Sequence, residues 1–153
     1  MEKLNYLLDE LKNYTGVLEK RNNLVSESTV GWQLAHSLKT IEQIVLAITK
    51  SEPKKYKWTF NFNRILILSI FKSIPRGKGK APKIVMPDAL ISSESILTSF
   101  ENVENLLKNW EQLPKQAYFP HPYFGDLNKK NTEDFLVIHT NHHLKIIKDI
   151  CKD

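Results

Sequence analysis

Three of the five histidines lie within five consecutive positions near the end of the chain, at His139, His142 and His143. An α-helix advances by about 100° per residue, so residues four apart share a face, and His139 and His143 form such a pair. Two imidazoles one turn apart can bind the same divalent ion. The spacing therefore indicates a metal site. Two core histidines with hydrogen-bond partners, or a partly solvated helix, would give the same pattern.

The helix predicted over residues 129–151 places this pair in the middle of an apolar face, with His142 on the flank of that face. Burial of a neutral imidazole requires hydrogen-bond partners, and burial of two requires more partners or a shared cation. The apolar residues around the pair are Phe135, Leu136, Ile146, Ile147 and Ile150.

A catalytic ion needs a third protein ligand and an open position for water or substrate. The remaining histidines are His36, in a predicted helix, and His121, in a loop that reads His-Pro-Tyr-Phe-Gly. His36 points away from the main apolar stripe of its helix and shares a second face with Trp32, so it is either exposed or buried on that second side. The His121 loop either plugs one end of the fold or supplies a pocket wall or proton carrier.

The elements that must position these residues are five helical segments separated by polar or proline- and glycine-rich connections. They are predicted over residues 2–12, 30–50, 62–74, 92–112 and 129–151, with Ser28 or Thr29 capping the second and Asn128 the fifth. The third segment is rich in isoleucine and also permits a strand. Four longer helices around one core favour an all-α four-helix bundle with an extra short N-terminal or connecting helix, forming a single domain over residues 1–153.

The composition narrows the classes of function. A net charge of +5 and a pI of about 9.2 are compatible with an anionic partner. The basic residues lie mostly in two loops, 54–57 and 76–80, and not in a helical stripe, which disfavours nucleic-acid binding. No apolar run is long enough to span a membrane. The single cysteine, Cys151, and an N-terminus unlike a secretory signal favour the cytoplasm.

Three segments together resemble the DinB/YfiT-like superfamily. They are residues 32–36 (Trp-Gln-Leu-Ala-His), residues 121–125 (His-Pro-Tyr-Phe-Gly) and residues 139–144 (His-Thr-Asn-His-His-Leu). The order and spacing are similar over most of the chain, and the specific part covers about a dozen residues. The closest branch of that superfamily is known only as a domain of unknown function.

The resemblance implies an up-down-down-up four-helix bundle that holds one divalent ion at an open end. By position, the ligands would be His36, His139 and His143. The branch often has Asp where this chain has Asn141, so support for the ligands would differ there. The residues that would line the pocket or support the ligands are Trp32, His121, Tyr123, Phe124, Asn141 and His142.

Relatives in that superfamily include thiol-dependent transferases and metal-dependent hydrolases, and some form homodimers. The resemblance therefore implies an enzyme that uses zinc, nickel or iron on a small-molecule substrate, with a low-molecular-weight thiol as one candidate. No carboxylate is placed by the sequence to act as a general base, so no catalytic residue is assigned. The alternative is a non-catalytic bundle that binds a ligand or partner, with the metal structural or absent.

Overall fold

The computed structural model describes residues 1–77, 82–87 and 90–152. This part of the chain is mostly helical, as predicted, with one small sheet. The four longer helices are α1 (Glu2–Lys12), α2 (Val30–Thr49), α4 (Ser93–Leu107) and α5 (Lys129–Cys151), and a short helical turn, α3 (Phe62–Arg64), lies between α2 and α4. Short 3-10 turns occur at Thr15–Val17, Pro53–Lys55, Lys83–Val85 and Trp110–Gln112.

The helices that carry the histidines begin where the sequence predicts. The Thr29 hydroxyl accepts a hydrogen bond from the Trp32 backbone N–H at 3.2 Å and caps α2. The Asn128 side chain accepts one from the Asn131 N–H at 2.9 Å and caps α5. Each cap satisfies an N–H group that has no partner within its helix, and so determines the residue at which the helix starts.

The core forms where α2 packs against α4 and α5, while α1 packs on α5. Leucine and isoleucine side chains from all four helices join one hydrophobic cluster. Completely buried members include Leu4, Leu11, Leu34, Leu38, Ile41, Ile48, Leu136 and Ile147. The packing places α2 beside α5, the two helices that carry His36, His139, His142 and His143.

A β-hairpin precedes α5 in a region where the sequence predicts only an aromatic loop. Strand β1 (Tyr118–His121) pairs antiparallel with β2 (Gly125–Asn128), with Tyr118 opposite Asn128. Gly125 has a φ of +68°, a conformation that glycine adopts without strain. Pro120 and Pro122 make the sequence look like a loop, but Pro120 lies in a two-stranded hairpin, where proline is tolerated because one side of each strand needs no N–H donor.

The third predicted helix, residues 62–74, is wrong in length and type. The single α-helical turn α3 continues as a π-helix over Ile65–Phe71 and ends at Lys72, which has a φ of +47°. Only Leu68 of the π-helix is buried, so this apolar segment is not a core helix of a bundle. The predicted fourth helix also ends early, because residues 110–112 form a separate 3-10 turn.

Within the described residues, no helix is both long and apolar enough to cross a bilayer. This finding agrees with the absence of a long apolar run in the sequence.

Arg64 fastens the segment before the π-helix to the hairpin. It is buried, and its guanidinium donates to the backbone carbonyls of Phe124 and Asp126, each at 3.3 Å, and to that of Thr59. One side chain thus connects residues 59–64 with both sides of the turn that follows His121.

We expect Arg64→Met to lower the free energy of unfolding by about 3 kcal/mol, because it removes charge-assisted hydrogen bonds and leaves carbonyl groups without a donor. The matched control is Arg76→Met, which breaks an exposed ion pair with Asp149 and should cost less than about 1 kcal/mol. Urea denaturation followed by circular dichroism measures both. Equal losses in the two variants would show that Arg64 is no more than a surface cation.

Candidate metal centre

Three imidazoles from two helices converge between α2 and α5. One ring nitrogen each from His36, His139 and His143 lies within 4.8 Å of the other two. The Nε2 atoms of His139 and His143 are 3.3 Å apart. Nitrogens bound to one tetrahedral zinc ion at 2.0–2.1 Å are roughly 3.4 Å apart. The Nε2 atoms of His139 and His143 therefore have the separation that a shared ion requires.

His36 is oriented by residues on both sides of its ring. Its Nδ1 lies 2.9 Å from the carbonyl oxygen of Val85, and since a carbonyl only accepts, Nδ1 carries the hydrogen. Trp32 stacks on the ring with centroids 4.9 Å apart and planes inclined by 16°. His36 is only 4% exposed, so of the two alternatives left open by the sequence, α2 is buried on its second side. The lone pair of His36 is therefore on Nε2.

His143 takes the same tautomer for a similar reason. Its Nδ1 donates to the Gln33 side-chain oxygen at 2.6 Å, and the Gln33 amide nitrogen donates to the Ser26 hydroxyl at 3.2 Å. A hydrogen bond at one ring nitrogen decides which nitrogen is available to a metal, and such partners also increase the ligand's basicity. Gln33 thereby leaves the Nε2 lone pair of His143 directed toward His139.

His139 is the member of the set whose Nδ1 lacks support. That nitrogen is buried and has no hydrogen-bond partner among the described residues. Phe135 lies against the ring with centroids 5.6 Å apart. The Nε2 atom of His143 carries a lone pair and no hydrogen. Its contact with His139 Nε2 is therefore explained in one of two ways: His139 donates a hydrogen bond to it, or the lone pairs of both nitrogens point at a shared cation. Burial of the ring favours the neutral form of His139 in both arrangements.

Burial keeps all three rings neutral. Desolvation lowers the pKa of His36, and it holds the pKa values of His139 and His143 well below 6.5, with repulsion from neighbouring histidines as the next cause. The charges that act on these pKa values belong to other histidines and not to carboxylates. Neutral imidazole is the form that binds metals, so at neutral pH the three rings have the protonation state that metal binding requires.

Four of the six predicted supporting residues lie near this centre. Trp32 stacks on His36, and His142 packs edge-on against His143 with ring centroids 5.1 Å apart. His121 stacks on Phe124 with centroids 4.4 Å apart and meets Phe135 edge-on at 4.6 Å. Phe135 in turn contacts His139, so an aromatic chain runs from the hairpin to the histidine cluster.

The other two supporting residues are not brought to the cluster. Tyr123 is 62% exposed at the hairpin turn. Asn141 lines a shallow surface groove with Tyr6 and Val137, next to α1. Two positions along a helix correspond to about 200°, so Asn141 faces away from both His139 and His143.

Two residues that orient the clustered histidines were missed by sequence reasoning. Gln33 carried a weak signal, because it is a polar residue one turn before His36 on a helix that must be largely buried. Val85 carried none, since its backbone carbonyl reaches His36 from a loop 49 residues away. Every residue type has a backbone carbonyl, so the sequence does not reveal which one accepts this hydrogen bond.

Comparison with family models finds a match to residues 9–149, most of the chain, and the matching family is described as a protein of unknown function, DUF1569. Comparisons with curated proteins and with solved structures found no match.

The buried histidines predict how stability depends on pH in protein freed of metal by a chelator. Their pKa values in the folded protein lie below the unfolded value of about 6.5. Their contribution to stability is therefore complete above pH 6.5 and is lost as the pH falls, because the unfolded state then binds more protons. We expect the free energy of unfolding to drop steeply below pH 6.5, which urea titrations at a series of pH values measure.

His121 offers a single-residue check, because burial lowers its pKa to about 4. Its Nδ1 accepts the backbone N–H groups of Tyr123 and Phe124 at 3.1 and 3.3 Å, and an asparagine oxygen can replace that acceptor. His121→Asn should reduce the slope of the free energy of unfolding against pH, between pH 6.5 and 4, by up to about 1.4 kcal/mol per pH unit. An unchanged slope would mean that His121 is not buried in its neutral form.

Proposed function

The chain belongs to the family of proteins of unknown function DUF1569, and we propose that it binds one divalent metal ion through His36, His139 and His143. The observation that carries the proposal is the convergence of three ring nitrogens within 4.8 Å. The orientation of two rings by Val85 and Gln33 supports it, because each partner leaves an Nε2 lone pair available. Zinc, nickel and iron all suit imidazole ligands.

We propose further that the ion is catalytic and that the protein is a metal-dependent hydrolase or thiol-dependent transferase acting on a small molecule. Three neutral ligands leave the charge of the ion undiminished, so when bound it would act as a Lewis acid that acidifies water or stabilises a thiolate. Trp32 holds the plane of His36. His121, whose Nδ1 accepts backbone hydrogen bonds, presents its Nε2–H as a neutral donor.

The wider assignment is also a proposal. We infer a DinB/YfiT-like bundle from the order of the three histidine-containing segments, and the mostly helical fold supports it. A low-molecular-weight thiol as co-substrate, a homodimer and a cytoplasmic location follow from the same resemblance.

Metal content tests the ligand set directly. Protein purified without added metal and then reconstituted should contain about one ion per chain by inductively coupled plasma mass spectrometry. His36→Ala, His139→Ala and His143→Ala should each reduce this content to under a tenth, since two imidazoles bind far more weakly than three. The matched control is His142→Asn, which changes a neighbouring histidine outside the set and should retain the ion.

Two results would contradict the metal proposal. One is wild-type protein that remains nearly free of metal after reconstitution with zinc, nickel or iron. The other is equal loss of metal in His142→Asn and the three ligand variants. If the ion binds but its removal lowers the melting temperature strongly, it has a structural role and the catalytic part of the proposal fails.

We expect Gln33 to raise the affinity of the site for the metal ion without binding the ion itself. Gln33→Leu removes the acceptor for the His143 Nδ1–H, and we expect the dissociation constant for zinc to rise about 10- to 100-fold. Gln33→Glu keeps an acceptor oxygen and should restore most of the affinity. Competition with a chromophoric chelator measures these constants, and Gln43→Leu, on the same helix, is the control. Identical constants in Gln33→Leu and wild type would show that Gln33 does not orient the ligand.

A further inference from the structure

The positive charge of the protein is concentrated in one stretch of sequence. Residues 53–87 contain nine lysine and arginine residues and no aspartate or glutamate. The rest of the chain contains more acidic than basic residues, so the net charge of +5 comes entirely from this stretch. Lys54, Lys57 and Lys72 are exposed, whereas Arg64 is buried in the contact with the hairpin.

The same stretch exposes large apolar side chains. Trp58, Phe60, Phe62, Ile70 and Phe71 are each 60–70% exposed. We call these five residues, with Lys54, Lys57 and Lys72, the aromatic–basic surface. Single exposed apolar residues are normal in soluble proteins, but a local group of five is typical of a binding surface.

Two side chains hold the first part of this surface against the hairpin. Arg64 binds residues 59–64 to the hairpin, and the Asn61 side chain donates to the Tyr123 carbonyl at 3.0 Å. In the π-helix, hydrogen bonds span five residues, so side chains four to five apart share a face. The π-helix continues directly from α3, and Phe62 at the start of this helical segment and Ile70 near its end are both exposed. Their exposure results from packing and not from an unstructured segment.

We propose that the aromatic–basic surface docks onto an anionic lipid bilayer. Lysine side chains are attracted to acidic headgroups, while tryptophan and phenylalanine enter the boundary between headgroups and acyl chains. The charge excludes a second copy of the chain on this face, since two such stretches would repel each other. Exposed aliphatic Ile70, which precedes Phe71 in the chain, favours lipid over nucleic acid, because an aliphatic side chain cannot stack on a base. This proposal is independent of the metal site.

Co-sedimentation of the full chain with vesicles tests it. We expect binding to vesicles of phosphatidylcholine with phosphatidylglycerol, at least tenfold weaker binding to phosphatidylcholine alone, and a decline with added salt. Free glycerol phosphate at millimolar concentration should not displace the protein. Displacement would show that the surface binds a phosphate group and not a bilayer, and would overturn the proposal.

Paired variants assign the binding to this surface. Phe62→Ser with Ile70→Ser should weaken binding at least tenfold, whereas Leu24→Ser with Leu97→Ser, which removes exposed apolar residues elsewhere, should not. Lys54→Glu with Lys57→Glu should weaken binding to anionic vesicles, whereas Lys108→Glu with Lys115→Glu should have a much smaller effect. All eight positions are exposed, so the variants should fold, which circular dichroism checks.

Three outcomes would overturn the proposal. They are no binding to either kind of vesicle, equal binding by the paired variants and their controls, and tighter binding to polyglutamate or to a single-stranded oligonucleotide than to anionic vesicles. The last would assign the surface to an acidic protein or a nucleic acid.

Discussion

The burial of uncharged imidazoles between α2 and α5 is the constraint on which the centre depends. Removing a histidine from water disfavours its charged form, and grouping several together adds mutual repulsion whenever one is charged. Both effects lower the pKa values of His36, His139 and His143. The protein offsets the desolvation of the ring N–H groups on His36 and His143 with dedicated acceptors, whereas the buried Nδ1 of His139 has no hydrogen-bond partner among the described residues. The cluster is therefore neutral, oriented and only partly satisfied by the protein itself.

The two acceptors come from different levels of structure. Gln33 lies one turn before His36 on α2, so a single helix supplies one histidine of the cluster and orients another that belongs to α5. Val85 belongs to a 3-10 turn in the long connection between α2 and α4, and contributes only a carbonyl. The geometry of the centre thus depends on the packing of α2 against α5 and on the placement of a loop.

The connection between α2 and α4 has a second role in the architecture. It contains the π-helix, the buried Arg64 and the basic stretch from which the whole net positive charge comes, and it packs on the hairpin that carries His121. In a regular bundle this apolar stretch would be a core helix. Here Leu68 joins the hydrophobic core and Ile67 and Ile74 pack against it, while Phe62, Ile70 and Phe71 remain exposed. This apolar stretch therefore contributes both to the core and to the surface.

Much of the helical framework was determined by the sequence alone. The bounds of α1 and α5, the cap at Asn128, and the shared face of His139 and His143 depend on interactions within about one helical turn, and residue spacing encodes these directly. The sequence left Ser28 or Thr29 as the cap of α2, and the structure selects Thr29. The resemblance added His36, which the helical wheel could not place. The mostly helical fold class was confirmed, while the up-down-down-up bundle and the metal ligands stay predictions.

The tertiary structure decided what local spacing cannot encode. The contacts of Gln33 and Val85 with the clustered histidines depend on how two helices and a loop pack together. The hairpin is held by Arg64, which lies 54 residues before β1. Asn141 shows the same limit, because only the position of α1 reveals that this side chain lies in a groove away from the histidines. The predicted helix over residues 62–74 was wrong for a related reason: its apolar pattern predicts burial, but packing buries only Leu68 of the π-helix and leaves Phe62, Ile70 and Phe71 exposed.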